Sequence, residues 1–370
     1  MSKILHSILV YVNYMAALLL IASYLSVHVN PGKIWMFSFF GLAYPFILII
    51  NLLFILFWLY RWKKLFLLSL AIVILGWNYI EKYFQIPLSK EKKNLSYIDD
   101  SQEDTLVKLT SYNVRLFNLY NWADDESAES GIFKFIRAND PDILCLQEFF
   151  VDEQGEYTSN EVKQELGFLK YSHTHYTVIA SNNAKYGMAT FSKYPIVQKG
   201  FIQYEDSHNL SIFTDVIIKE DTVRIFNNHL QSIRFKQKNY DFLRHLDLKY
   251  DETQMDEIRD ISNKIRDAFI KRAEQVDLIK ERIQQSPYPV VVCGDFNDTP
   301  VSYTYREMKN NLTDAYVNAG VWAGNTYNGT LPSFRIDYIF HDPSIVSYHF
   351  RKEKIRFSDH YPIYCYLDVK

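Results

Sequence analysis

The first eighty residues contain no aspartate or glutamate, and the runs 7–28 and 34–60 carry no Asp, Glu, Lys or Arg. About 20 apolar residues cross the hydrocarbon core of a bilayer, so each run is long enough for one span. The segment "LFLLSLAIVILGWNYI" (65–80) is shorter, but Trp62, Trp77 and Tyr79 suit the membrane interface and Lys63 and Lys64 can snorkel beside it. The sequence therefore predicts a membrane anchor over 1–80 with about three transmembrane helices, 7–28, 36–60 and 63–80. A cleaved signal peptide would account for the first run only. Three spans put the two ends of the anchor on opposite faces. The basic loop "RWKK" prefers the cytoplasm, which makes the chain an integral protein of an inner or plasma membrane with its C-terminal part on the extracytoplasmic side. Lys82, Lys90, Lys92 and Lys93 pull the other way, although long translocated domains often override such charge.

Charge separates the two parts. The anchor's only charged side chains are Lys3, Lys33, Arg61, Lys63 and Lys64; removing these five from totals of 40 basic and 43 acidic residues leaves 81–370 with a formal balance of −8. Binding to nucleic acid usually shows as a basic surface, and this balance does not favour one. A local cluster, Arg234, Lys236, Lys238, Arg244 and Lys249, reads equally as a solvated helix face. Cys145, Cys293 and Cys365 all sit in apolar runs and read as small buried hydrophobes.

Residues 81–105 are polar and aperiodic and read as a linker. Beyond them, "LVKLTSYNV", the helical spacing of 131–140 and "DILCLQEFF" form a β-α-β opening. Runs rich in Tyr, Phe, Ile, Val and Thr at 170–180, 186–192, 196–203, 210–218 and 222–230 imply antiparallel pairing. A long amphipathic helical segment covers much of 234–286; "VVVC" at 290–293, a helix near 301–309 and three further strands follow. This order implies a layered α/β sandwich with mixed sheets over 106–370.

Six strand ends finish in polar residues: "SYNVR" at Asn113, "LQE" at Glu148, "NNHLQS" at His229, "GDFND" at Asp295 and Asn297, "RIDYIF" at Asp337 and "SDHYPI" at Asp359 and His360. Taken singly, each has an ordinary structural reading as a turn former, a surface charge, a strand-edge histidine or half of an ion pair. Asp337 stands out, because a carboxylate inside an apolar run needs a partner, and a histidine is the natural candidate. Together the tips supply what phosphate-ester hydrolysis needs: oxygen ligands for a hard divalent cation, a base for water, and donors for phosphoryl oxygens. Neither a zinc-spaced Cys/His cluster nor a G-x-S-x-G nucleophile motif is present.

In this order the motifs, with "YGMATFSKYPI" among them, resemble the endonuclease/exonuclease/phosphatase superfamily, which includes pancreatic-type DNases, exonuclease III, neutral sphingomyelinases and inositol polyphosphate 5-phosphatases. The resemblance covers about 106–370 and implies a DNase I-like, four-layered α/β sandwich of two mixed sheets flanked by helices. It implies a hydrolase that uses Mg²⁺ or Mn²⁺. Glu148 would be the principal metal ligand, with Asn113 beside it and Asp359 positioning the metal or His360. Asp295 would orient or deprotonate water, Asn297 would hold a phosphoryl oxygen, and His360, paired with Asp337, would contact the phosphate. His229 would be the second phosphate-side histidine, donating to an oxygen or protonating the leaving group. DNase-type enzymes support that histidine with a glutamate, for which 170–195 offers no counterpart. The substrate expected is nucleic acid or a phospholipid headgroup, the other contact is the lipid bilayer, and no protein partner is inferable. The alternative is a membrane-held binding module that kept the fold and lost the chemistry.

Overall fold

Alternation of branched and aromatic residues with polar ones sends the C-terminal chain into strands, and in a computed structural model these form two six-stranded mixed sheets. The structure describes residues 2–99, 103–119, 128–155, 157–181, 183–205, 207–244, 252–329 and 331–369; Lys249 of the basic cluster lies outside them. Ahead of the sheets come α1 (Lys3–Ser26), α2 (Pro31–Ile34), α3 (Met36–Leu42), α4 (Tyr44–Tyr60), α5 (Phe66–Leu75), α6 (Trp77–Ile80), β1 (Phe84–Gln85) and α7 (Lys90–Ser96).

The first large sheet has the order β13 (Val346–Lys352), β14 (Ile363–Asp368), β2 (Val107–Asn113), β3 (Ile143–Asp152), β5 (Ala184–Ser192), β4 (Tyr171–Ile179). The second runs β10 (Thr313–Asp314), β12 (Asp337–His341), β9 (Val290–Asp295), β8 (Asp221–His229), β7 (Leu210–Ile218), β6 (Ile196–Gln203). Each has one parallel pair at its centre, β2 with β3 and β8 with β9, and antiparallel neighbours elsewhere. A parallel pair needs a crossover. Helix α8 (Ala128–Asn139) supplies the first; α9 (Ser159–Glu165) follows β3, and the long α11 (Glu252–Gln284) supplies part of the second crossover, after α10 (Gln237–Arg244).

Residues that point between the sheets, among them Leu109, Cys145, Ile225, Val291, Cys293, Ile339 and Cys365, form one core, which makes all three cysteines free and buried. Ile132 and Ile136 of α8 cover the outer face of the first sheet; Val276 and Ile279 of α11, with Tyr305 and Met308 of α12 (Tyr303–Lys309), cover the second. The result is the expected helix-sheet-sheet-helix sandwich.

The N-terminal helices depart from the simple three-span expectation. α1 is long and apolar enough to cross a bilayer, with a mean hydropathy of 2.0; α3 and α4 pass the same test only as a pair bent by 60°. The bend falls where Pro45 lacks an N–H at the start of α4. The third segment is divided into α5, of 10 residues, and α6. Polar side chains pin these helices together: Trp58 Nε1 donates to Asn13 Oδ1 at 2.9 Å, Asn13 Nδ2 to Ser69 Oγ at 2.7 Å and Asn51 Nδ2 to the Ala16 carbonyl at 3.0 Å.

The bundle also docks on the sandwich. At Gly41 in α3, an added Cβ would fall 2.1 Å from the Val301 carbonyl, so the absence of a side chain permits this approach. Phe39 packs edge-on against Phe269 of α11 with ring centroids 5.5 Å apart, and Val301 is buried among Leu20, Tyr24 and Tyr44. The expected linker is itself part of this seam. β1 pairs with β11 (Trp322–Ala323), and the Ser96 carbonyl at the end of α7 accepts from Arg351 Nη2 at 2.7 Å. Its polarity reflects a surface strap whose backbone is held by partners distant in sequence.

Candidate active site

Strand register brings the polar tips together. His229 ends β8 opposite Asp295 at the end of β9, and Asp295 lies opposite Asp337 at the start of β12. Gly294, with φ of +127°, lets the parallel strands meet: a Cβ there would lie 2.0 Å from the Asn228 carbonyl. In the other sheet, Asn113 ends β2 opposite Gln147. The register of β3 shifts just beyond, between Leu146 and Phe149, and Glu148 adopts a left-handed φ of 50°. A bulge of this kind re-aims one side chain at the cost of local strain, and here the side chain is Glu148. Asp359 and His360 precede β14, whose antiparallel course returns them to the same end of the sandwich.

Asp295 is the hub. Its Oδ1 accepts from the Asn297 backbone N–H at 2.8 Å, and its Oδ2 from Asn297 Nδ2 and Asn113 Nδ2, each at 3.0 Å. His360 turns Nδ1 to both oxygens of Asp337, at 3.0 and 3.1 Å, and presents Nε2 3.7 Å from Asp295 Oδ2. The partner that buried Asp337 requires is therefore a histidine. Thr326 Oγ1 accepts from the backbone N–H groups of Ile336 and Asp337 and fixes the carboxylate's approach. His229 Nε2 lies 3.6 Å from Glu148 Oε1 and 3.8 Å from Asp295 Oδ2, buried and without a hydrogen-bond partner.

Two amides face differently from what a ligand role needs. Asn113 directs Nδ2 to Glu148 Oε1 at 3.2 Å, while its oxygen accepts from the Arg115 backbone N–H. Both donors of Asn297 Nδ2 are engaged, by Asp295 and by the Leu230 carbonyl at 3.0 Å, so contact with a phosphoryl oxygen requires exchange of one of them. Arg115 escaped the sequence reading although it stands inside "SYNVR". It sits in a left-handed turn after β2, φ 44°, and its guanidinium pairs with Asp359 at 2.7 Å. Tyr240 and Tyr327, equally unforeseen, line the same cleft.

Burial dominates the electrostatics. It pushes the Asp295 carboxyl up to about 6, with Asp337 adding to the rise and His360 and His229 restraining it. Burial and then the Asp359 charge raise Glu148. Burial would lower His360, but Asp337 and Asp295 outweigh it and hold the imidazole well above its ordinary value, so it stays cationic at neutral pH. His229 is held low by burial, against the pull of Asp295, and stays neutral.

The donor set fits a hard divalent cation. Glu148 is half-buried near a like charge, which a cation would relieve, and Asp359 and Asp295 border the same cleft. Asp295, Asp337 and His360 also present ligand atoms within 4.8 Å of one another, but Asp337 and His360 already satisfy each other.

Two mixed sheets face to face, with acid, amide and histidine groups at one shared end, define a hydrolytic α/β sandwich. Residues 110–360 match the endonuclease/exonuclease/phosphatase family, and the chain belongs to it. It is thus a hydrolase of phosphate ester bonds, from a family whose enzymes generally use divalent metals. Residues 6–83 match a separate domain of unknown function. No curated protein matches. Similar solved structures include the human Nocturnin catalytic domain with bound sulfate (18% identity, TM-score 0.50, covering 71% of this chain and 94% of that one). A Bacteroides vulgatus endonuclease/exonuclease/phosphatase is similar at 17% identity and TM-score 0.50 (72% and 100% covered). So is D. rerio TDP2 complexed with single-strand DNA product, at 16% identity and TM-score 0.50 (72% and 100% covered). At these identities the likeness is one of fold.

Proposed function

We propose that the chain is a membrane-anchored phosphoesterase, dependent on Mg²⁺ or Mn²⁺, that cleaves a phosphodiester or phosphomonoester by attack of water. The observation that carries this reading is the Asp337-His360-Asp295 array facing Glu148 across one cleft. Glu148 and Asp359 would hold the ion, with Asn113 contributing once its amide turns over, and the ion would supply Lewis-acid polarisation of a phosphoryl oxygen. Asp295, basic because it is buried, orients the attacking water and takes its proton. Cationic His360, steadied by Asp337, donates to a phosphoryl oxygen and stabilises charge that grows in the transition state. Asn297 stands beside it for a second oxygen. The neutral, unpartnered His229 Nε2 is placed to contact the phosphate, and as leaving-group acid it must first gain a proton when the substrate's charge enters.

The anchor is residues 1–80, its helices crossing the membrane of the cell with the catalytic domain, 106–370, on the extracytoplasmic side; 81–105 is the linker between them. The DNA bound to a protein of the same fold supports a nucleic-acid substrate, and the membrane anchor supports a phospholipid headgroup. The test uses the full-length protein in lipid nanodiscs with DNA, RNA, phosphoinositides and sphingomyelin. Hydrolysis of one class should require Mg²⁺ or Mn²⁺, vanish with a chelator and fall on the order of 10²–10⁴-fold in each of Glu148→Ala, Asp295→Ala and His360→Ala. Activity that survives the chelator and these variants would sink the proposal, and no hydrolysis by folded protein would favour the binding module.

A further inference from the structure

The cleft that holds the acid and histidine groups does not end at them. The same cavity, about 560 Å³, runs from Glu148, Asp295 and His360 to a wall built by Phe39, Leu42, Ala43 and Phe46 at the bend between α3 and α4. Ile261, Ile265 and Phe269 of the apolar stripe of α11 line it as well, with Phe269 packed on Phe39, and so does Phe334, whose ring meets Phe46 edge-on at 6.4 Å. A site for a wholly polar substrate has no use for such a lining. Burying a polar or charged group against hydrocarbon without a partner is costly, and most of this surface offers none.

The direction of the groove matters as much as its chemistry. Phe46, 50% exposed, belongs to the bent apolar pair that together is long and apolar enough for a span, and Ala43 sits at the break of that pair. The α11 stripe continues outward through Ile258 and Met255, which are 42% and 45% exposed, and Leu243 of α10 adds to it at 38%. Trp35 stands exposed at the start of α3 beneath the Arg266 guanidinium, an amphipathic pairing suited to a headgroup layer. At the polar end, Arg234 is an exposed cation at the rim beside the catalytic groups. One cavity thus joins a phosphate-sized polar end to an apolar end that opens on the anchor helices.

We propose that the substrate is a membrane lipid, a phosphate ester with a long hydrocarbon chain, whose chain lies in the groove between the α3–α4 bend and α11 while its phosphate reaches Glu148, Asp295 and His360. The lipid enters sideways from the bilayer. The cavity falls within the 300–1,000 Å³ range of small-molecule sites, room for part of one chain beside a headgroup. This inference rests on the phosphoesterase reading and narrows it to one of its two substrate classes.

The test varies the chain and keeps the reacting bond constant. Full-length protein in nanodiscs is given p-nitrophenyl methyl, butyl and octyl phosphate with Mn²⁺, and kcat/KM is measured for each. A methylene moved from water into an apolar site is worth up to about four-fold in affinity, so the octyl ester should exceed the methyl ester by roughly 10²-fold or more. In Ile265→Glu, and independently in Ala43→Phe, the octyl-to-methyl ratio should collapse towards one. The ratio within each preparation corrects for any loss of folded protein. Equal rates on all three esters, with faster cutting of single-stranded DNA, would overturn the lipid inference and leave the phosphoesterase reading standing. If none of these esters, mixed phospholipid vesicles or single-stranded DNA is hydrolysed, with or without metal, both readings fail.

Discussion

At the scale of the residue, the site is an arrangement of groups that could not stay buried alone. Asp337 tolerates its apolar strand because His360 faces it, and Asp295 because two amides and a backbone N–H converge on it. Asp337→Asn should therefore lower kcat on the order of 10²-fold while KM changes little, because His360 loses the partner that keeps it charged. Unchanged kcat in that variant would remove Asp337 from the machinery. Gly294→Ala should destabilise the fold by on the order of 3 kcal/mol in urea unfolding, since both φ and the Asn228 carbonyl oppose a Cβ. The identities of Asn113, Glu148, Asp295, Asn297, Asp337, Asp359 and His360 were legible because each ends or begins a strand-like run. Arg115 was not, because nothing local separates it from an ordinary surface arginine until Asp359, distant in sequence, comes to meet it.

At the scale of the element, α11 does two things. Its buried face covers the second sheet, and its Arg272, 1% exposed, joins the loops after β9 and β8: Nε donates to Asp298 at 3.1 Å and Nη1 to the Gln231 carbonyl at 2.9 Å. Removing one partner of a buried pair strands the other's charge. Arg272→Met should cost about 3–5 kcal/mol and weaken the placement of Asn297, and adding Asp298→Asn should restore much of the loss. A double variant no more stable than the single would contradict this account. β4 carries a second titratable device: His173, buried between the sheets, donates to or accepts from Thr214 Oγ1 at 2.9 Å and is pushed down by burial from 6.5 to about 4. The folded form holds it neutral while the unfolded chain protonates it, so stability present above pH 6.5 is lost as pH falls towards 4. The loss should be on the order of 3 kcal/mol and absent from His173→Gln, which chemical denaturation across that pH range would read directly. Parallel pH curves for the two proteins would refute it.

At the scale of the whole molecule, the N-terminal helical bundle and the sandwich share a core. Val301 belongs to the helical bundle's apolar cluster, and β1 and α7 lie along the sandwich's surface. A fragment that starts at residue 81 should therefore melt several degrees above one that starts at 106, since about 1 kcal/mol moves Tm by 2–4 °C in a domain of this size. Both fragments should associate more readily than the full chain, because Phe269 and Val301 lose their cover. Equal melting points would show that the strap contributes nothing.

Local pattern by itself determined the strands, the crossover helices, the apolar first eighty residues and the polar tips, because alternation, helical spacing and runs of hydrocarbon are written in neighbouring residues. It could not determine the third apolar segment's division or the strap over 81–96, whose partners lie hundreds of residues away. Nor could it show the bulge that aims Glu148, since a shift of register exists only between two paired strands. The groove belongs wholly to the tertiary structure: its walls come from α3, α4 and α11, and only their docking, permitted by a glycine at position 41, turns three separate apolar stripes into one surface beside the catalytic groups.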